Sequence, residues 1–362
     1  MIRVESYVRH SAKEAKLYFP ISKPPTPMKK DVIRMHANEN PLGPSPKVVQ
    51  AIIDATTMVN RYPDPSYVEL RQRIAKYVSL KPENVIVGSG SDEAIDLLIK
   101  TFVNPGDEAI ISVPTFEVYE KVLKLAEGKP IFIPMRKKFY WDIEGIKQAI
   151  SQRTKLIFIC SPNNPTGSAI LENDAEELAL TGKLLVIDEA YAEFSAKTLI
   201  PLVQKYENVI ILRTFSKFLG LAGLRVGYVL ASPEIINYLD RVRLPFNVSL
   251  LAERAAITAL DDIQHAIRAR GLIRKWKRYL YSELAKIRKI RAFPSEANFI
   301  LIDVTESRHS STEIVNALSN LGILVKDCTG AKGLDGEYIR VSIGLKEENE
   351  RFIKALKTIL KA

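Results

Sequence analysis

Between Asn84 and Ser216 the chain repeats one pattern: a short unbroken apolar run, a turn, then a stretch with apolar residues at helical spacing. The runs are "NVIVG", "DEAIISV", "KPIFIPM", "TKLIFICS", "KLLVIDEAY" and "NVIILRTFS". A half-buried strand alternates apolar with polar residues. Runs without alternation predict strands covered on both faces, as in a mostly parallel sheet between helical layers. "SDEAIDLLIKTF" and "FEVYEKVLKLAE" predict two of the covering helices. The expected fold is α/β, with ligands gathered at the carboxyl ends of the strands.

After Pro245 the pattern changes. Long charged helical stretches run to about Arg291, followed by "ANFILIDV", a helix over 311–320, "GILVKDC", "EYIRVSIG" and a terminal helix. In that helix Phe352, Ile353, Leu356, Ile359 and Leu360 fall on one apolar face. The first 35 residues contain four prolines. The expected organisation is an N-terminal arm (1–35), a large domain (36–247) and a smaller α+β domain (248–362).

Composition changes this picture little. The chain has 362 residues, 46% of them hydrophobic and 26% charged, as in an ordinary globular protein. No apolar run is long enough to span a bilayer, and "MIRVESYVRHSAKEAK" has no signal-peptide core. Two cysteines, Cys160 and Cys328, cannot make a disulfide framework, so a cytoplasmic protein is expected. The net charge of +10 raises the question of nucleic acid. The cations are interleaved with Asp and Glu, however, and the densest stretch, 268–291, reads as a helix with one solvated cationic face. Anionic small substrates suit the charge equally well; neither nucleic acid nor metal is expected.

The chemistry gathers where the apolar runs end. In "VIVGSGSDEAI" a strand stops at Gly88 and a helix begins near Ser91. Its first N–H groups make either an anion site or a tight turn capped by Ser91. Glu93 stands where a dinucleotide fingerprint needs its third glycine, which favours a lone phosphate. "CSPNNPTG" is a loop or an amide donor at a strand end. Asp188 closes an apolar strand, where a carboxylate is either a helix cap or the partner of a buried cation. Lys217 and Arg225 lie in the apolar setting "RTFSKFLGLAGLRVGY". Either both point outward, or something anionic lies between them. An acid, an amine, an arginine, a phosphate nest and nearby amide, phenol and aromatic groups are together what pyridoxal phosphate requires.

The ordered set "HANENPLG", "RYPDP", "GSGSDEAI", "PTFEVY", "SPNNPTG", "DEAY", "TFSK" with "GLRVGY", and "YIRVSIG" resembles the fold-type-I pyridoxal-phosphate aminotransferases. Within them it is most similar to the histidinol-phosphate aminotransferases. The resemblance implies an aspartate-aminotransferase-like fold, with Lys217 as the lysine that binds the cofactor aldehyde and Asp188 paired with its ring nitrogen. Asn164 and Tyr191 would hold the phenolate oxygen, and Phe116 would stack on the ring. Ser91, Asp92, Ser216 and Arg225 would hold the phosphate. Tyr62 would reach the phosphate of a neighbouring subunit, implying a homodimer with shared sites. Arg340 matches the arginine that binds the substrate carboxylate. Where a second arginine usually precedes it, this chain has Lys326, either a phosphate ligand or a solvated lysine at a strand end. The implied reaction transfers an amino group from an amino donor to a 2-oxo acid. Threonine-phosphate decarboxylase and aromatic-amino-acid aminotransferase are the alternatives. A transcription regulator would need a helix-turn-helix domain, for which the residues before His36 leave no room.

Overall fold

The computed structural model describes residues 3–15, 32–195 and 197–361. The six apolar runs form β2 (Val85–Gly88), β3 (Glu108–Val113), β4 (Lys129–Pro134), β5 (Thr154–Cys160), β6 (Leu184–Asp188) and β7 (Val209–Thr214). With β8 (Gly227–Leu230) they make one sheet in the order β2-β8-β7-β6-β5-β3-β4. β8 was not foreseen from the sequence. It runs antiparallel to β2 and β7, while β4, β3, β5, β6 and β7 are parallel.

Both faces of this sheet are covered. Val186, Leu212 and Phe158 point into a cluster with α4 (Gly90–Phe102), α5 (Val118–Leu125) and α9 (Pro233–Val242). Ile187, Ile211 and Ile157 point into the opposite cluster, which takes in α3 (Val68–Val78), α7 (Glu172–Ala179) and α8 (Pro201–Lys205). That two-sided burial is why the runs do not alternate.

The smaller unit is an antiparallel sheet of β12 (Lys326–Asp327), β13 (Tyr338–Ser342), β10 (Phe299–Asp303) and β9 (Arg291–Ala292). Helices α11 (Ile263–Leu284), α12 (Ser311–Asn320) and α13 (Lys346–Leu360) accompany it. Phe352, Ile353 and Leu356 of α13 are buried, each side chain contributing about 1.5–3 kcal/mol. "GILVKDC" is divided between two sheets. Its β11 (Ile323–Leu324) pairs in parallel with β1 (Ile33–Arg34), and only β12 joins β13. Residues 33 and 34, counted with the arm from the sequence, are thus stitched to the C-terminal unit. α10 (Leu250–Asp261), counted with the small domain, packs on α2 (Pro46–Ala55) and α3. The earlier part of the arm is represented by α1 (His10–Glu14), which lies against α5; α6 (Ile143–Gln148) completes the helices of the described residues.

The basic stretch 268–291 differs from its expected solvated face. Lys277 turns inward and donates to the carbonyls of Ser295 (2.7 Å) and Ala297 (2.8 Å), and burial lowers its pKa to about 8. Arg270 donates to the Glu193 carbonyl at 3.2 Å. Behind the end of β6, Arg213 binds Glu189 at 2.6 Å and Glu193 at 2.7 Å, with all three side chains buried. Removing one member of such a network strands the others in low dielectric. Arg213→Met should therefore cost roughly 3–5 kcal/mol, read as a lower urea midpoint. A midpoint equal to wild type would show that the two carboxylates do not depend on this guanidinium.

Candidate active site

Parallel strands β5, β6 and β7 end side by side, with Cys160 opposite Asp188 and Asp188 opposite Leu212. Their carboxyl ends floor a cleft of about 300 Å³. Of the residues singled out in the sequence, Ser91, Asp92, Phe116, Asn164, Asp188, Tyr191, Ser216, Lys217, Arg225, Lys326 and Arg340 all line it. Tyr62 does not. It is 80% exposed and stacks on Phe246 with ring centroids 4.4 Å apart.

Asp188 is buried at the end of β6, and among the described residues it forms no ion pair. Its carboxylate accepts from the Tyr119 hydroxyl at 2.6 Å and from the Ala190 N–H at 3.0 Å. Burial raises its pKa to about 6 in spite of those two bonds. A carboxylate so placed is matched to a cation brought by a ligand. Lys217 follows β7, and its Nζ donates to the Ala37 carbonyl at 2.8 Å. Burial, with Arg340 next in effect, lowers its pKa to about 8. Lys217 thus turns into the cleft, whereas Arg225 lines it with a side chain that stays partly exposed.

The third element is an anion cup. Gly90 (φ +79°) opens α4, and Gly227 of β8 approaches so closely that a Cβ would lie 2.6 Å from the Gly90 carbonyl carbon. Only glycine allows that approach. Glu93 does not disturb the turn, because its carboxylate accepts from the Ser89 N–H and from the Asn247 amide. Arg225, itself left-handed at φ 53°, reaches Ser216 Oγ (3.3 Å) and Asp92 (3.0 Å) beside this helix start. The dipole and free N–H groups there favour a phosphate.

Between the cup and Asp188 there are spare donors. The Tyr191 hydroxyl accepts from Asn38 at 3.1 Å and keeps its own proton to give. Asn164 accepts from Arg340 through Oδ1, and its amide nitrogen has no partner among the described residues. At the far end, Arg340 lies across β12–β13 from Lys326 as its Cα partner. The amine, unpaired acid, anion cup and free donors fit pyridoxal phosphate.

Sequence reasoning missed Tyr119, the donor to Asp188, and His36, Ala37 and Asn38, which wall the cleft. "PTFEVY" and "HANENPLG" held the signal, but nothing in either fixes which side chain turns inward.

The chain belongs to the class I and II aminotransferase family, whose model matches residues 30–356. It is 42% identical to the histidinol-phosphate aminotransferase of Moorella thermoacetica, across 91% of this chain and 86% of that one. It is 39% identical to that of Methanocaldococcus jannaschii, across 99% of this chain and 98% of the other. Among solved structures it resembles the Sinorhizobium meliloti histidinol-phosphate aminotransferase in complex with pyridoxal-5'-phosphate. That match has a TM-score of 0.83 at 27% identity and covers 91% of each chain.

The lowered pKa of Lys217 has a direct consequence for its reactivity. In cofactor-free protein, acylation by acetic anhydride mapped to Lys217 should rise with a midpoint near pH 8. An ordinary lysine would follow a midpoint near ~10.4, and that outcome would mean a hydrated amine.

Proposed function

We propose that this protein transfers the amino group of histidinol phosphate to 2-oxoglutarate, giving imidazole-acetol phosphate and glutamate, with pyridoxal phosphate as cofactor. The carrying observation is that Lys217 and the buried Asp188 face one cleft without neutralising each other. The names of relatives matching nearly the whole chain support the substrate.

When bound, pyridoxal phosphate supplies an aldehyde for the amine nitrogen and a ring that accepts the electron pair left by the departing Cα proton. The chain's residues do the rest. Arg225, Ser216 and the N–H groups of Ser91 and Asp92 would hold the phosphate, and Phe116 would stack on the ring. Tyr191 and Asn164 would donate to the phenolate oxygen. Asp188 would hold the proton on the ring nitrogen. Lys217, its pKa lowered to about 8, would take the Cα proton and return it to the carbon of the cofactor's aldehyde. Arg340 binds the carboxylate of glutamate or the phosphate of the other substrate, assisted by Lys326 as a second charge.

Glutamate and histidinol phosphate, each added alone to holoenzyme, should discharge the cofactor's visible absorbance and yield the matching oxo product. Carbon dioxide released from threonine phosphate, with no response to glutamate, would replace transamination by decarboxylation.

Exposed Tyr62, with Met58, Val59 and Leu244 also exposed, supports a homodimer in which Tyr62 serves the partner's phosphate cup. On this reading residues 36–247 form the cofactor-binding domain and 248–362 the smaller one, in a cytoplasmic enzyme. Mixing Lys217→Ala with Tyr62→Phe subunits should give heterodimers with one unmutated site and activity above either parent. No recovery after proven subunit exchange would count against shared sites.

A further inference from the structure

The cleft holds polar atoms that none of these roles employs. Among the described residues, two buried side-chain nitrogens of cleft-lining residues have no hydrogen-bond partner: His36 Nδ1 and Arg340 Nε. His36 is only 4% exposed, and its backbone is fixed from several sides. Its carbonyl accepts from Arg340 Nη2 at 2.6 Å. Met35, just before it, donates to the Leu324 carbonyl and accepts from the Ser342 N–H, both at 2.8 Å. The imidazole is therefore held against the two strands that carry Lys326 and Arg340. An unpaired buried polar atom costs about 1–3 kcal/mol, so holding one rigidly in a ligand cleft points to a ligand that pairs it.

The surroundings identify the ligand's charge. Lys326 and Arg340 are Cα partners on neighbouring strands, so their side chains leave the sheet on the same face. Burial and the cations Arg34, Arg340 and Lys326 hold the His36 pKa near 4, which keeps the ring neutral. A neutral imidazole has one N–H to donate, and beside several cations the acceptor it meets is an anion. A carboxylate offers two oxygens, which Arg340 and Lys326 can satisfy between them. A phosphate monoester offers a third terminal oxygen and needs a further donor.

We propose that His36 donates a hydrogen bond to a terminal oxygen of a phosphate monoester held by Lys326 and Arg340, and so helps select phosphorylated over carboxylate-bearing amines. It is a specificity residue for the reaction proposed above and rests on that reading for the identity of the substrate. Ser342 and Met35 position it, and its ring adds no charge.

The test uses holoenzyme carrying His36→Phe, which keeps a ring without nitrogen, and His36→Asn, which keeps an N–H. His36→Phe should raise about tenfold both the KM for histidinol phosphate and the inhibition constant of inorganic phosphate against glutamate. The KM for glutamate should change at most about threefold, as expected from losing one hydrogen bond to a charged group. His36→Asn should recover part of the phosphate affinity. Equal losses for glutamate and phosphate would make His36 a packing residue, and unchanged phosphate constants would show that it makes no contact; either overturns the proposal. Should wild-type enzyme accept glutamate but not histidinol phosphate, the substrate reading falls. Inhibition by inorganic phosphate then still decides whether His36 is an anion donor.

Discussion

A carboxylate buried at the end of a central strand, with no protein cation beside it, governs the arrangement around it. Ionised and alone in a dry interior, Asp188 would be costly by several kcal/mol. Two neutral donors, the Tyr119 hydroxyl and the Ala190 N–H, lessen that cost without neutralising the charge. Lys217 could neutralise it, but its amine is bound instead to a backbone carbonyl at the start of the chain. Keeping the acid and the amine in one cleft and out of contact preserves the reactivity of both. It requires rigid strand ends, which β5, β6 and β7 provide in register, and firm backing at the turn after β6 from the Arg213 ion network.

The two ends of the cleft are built on different physical terms. At the phosphate cup, backbone dominates: a left-handed glycine, a helix start, and a second glycine whose missing side chain lets β8 touch it. At the substrate end, side chains dominate, and they come from short strands joined only by tertiary pairing. Asn164 ties the substrate end to the smaller unit, since its carboxamide meets Arg340 while its loop rests on the segment that Lys277 fixes; there the Glu296 N–H donates to the Gly167 carbonyl at 2.8 Å.

Most of the large sheet was legible, because burial on both faces leaves an unbroken apolar run that few other settings produce. β8 was not: "GYVL" is short and follows directly on the glycine-containing motif that draws attention to Arg225. The division of residues 323–327 between two sheets was equally hidden, since the partner of β11 lies near the other end of the chain. Of the site, residues fixed to strand ends, such as Asp188 and Asn164, could be placed by counting from the apolar runs. Tyr119, on a helix, and His36, in an irregular segment, carry no periodic signal that tells an inward side chain from an outward one. Tyr62 was picked out by its motif, but a single chain leaves it on the outer surface, away from its own cleft.

The pairing of the chain's beginning with its end also fixes when the cleft can be completed. Asn38 is held by Ser342, 304 positions later, and Arg340 binds the carbonyl of His36 across the same span. On a ribosome adding about 5–20 residues per second, those partners emerge roughly 15–60 s after the segment that awaits them. During that interval the large sheet, whose strands all lie between residues 85 and 230, needs none of these late partners, whereas the wall containing His36 and Ala37 does. The carbonyl that receives the Lys217 amine belongs to that wall, so its final position waits on β13.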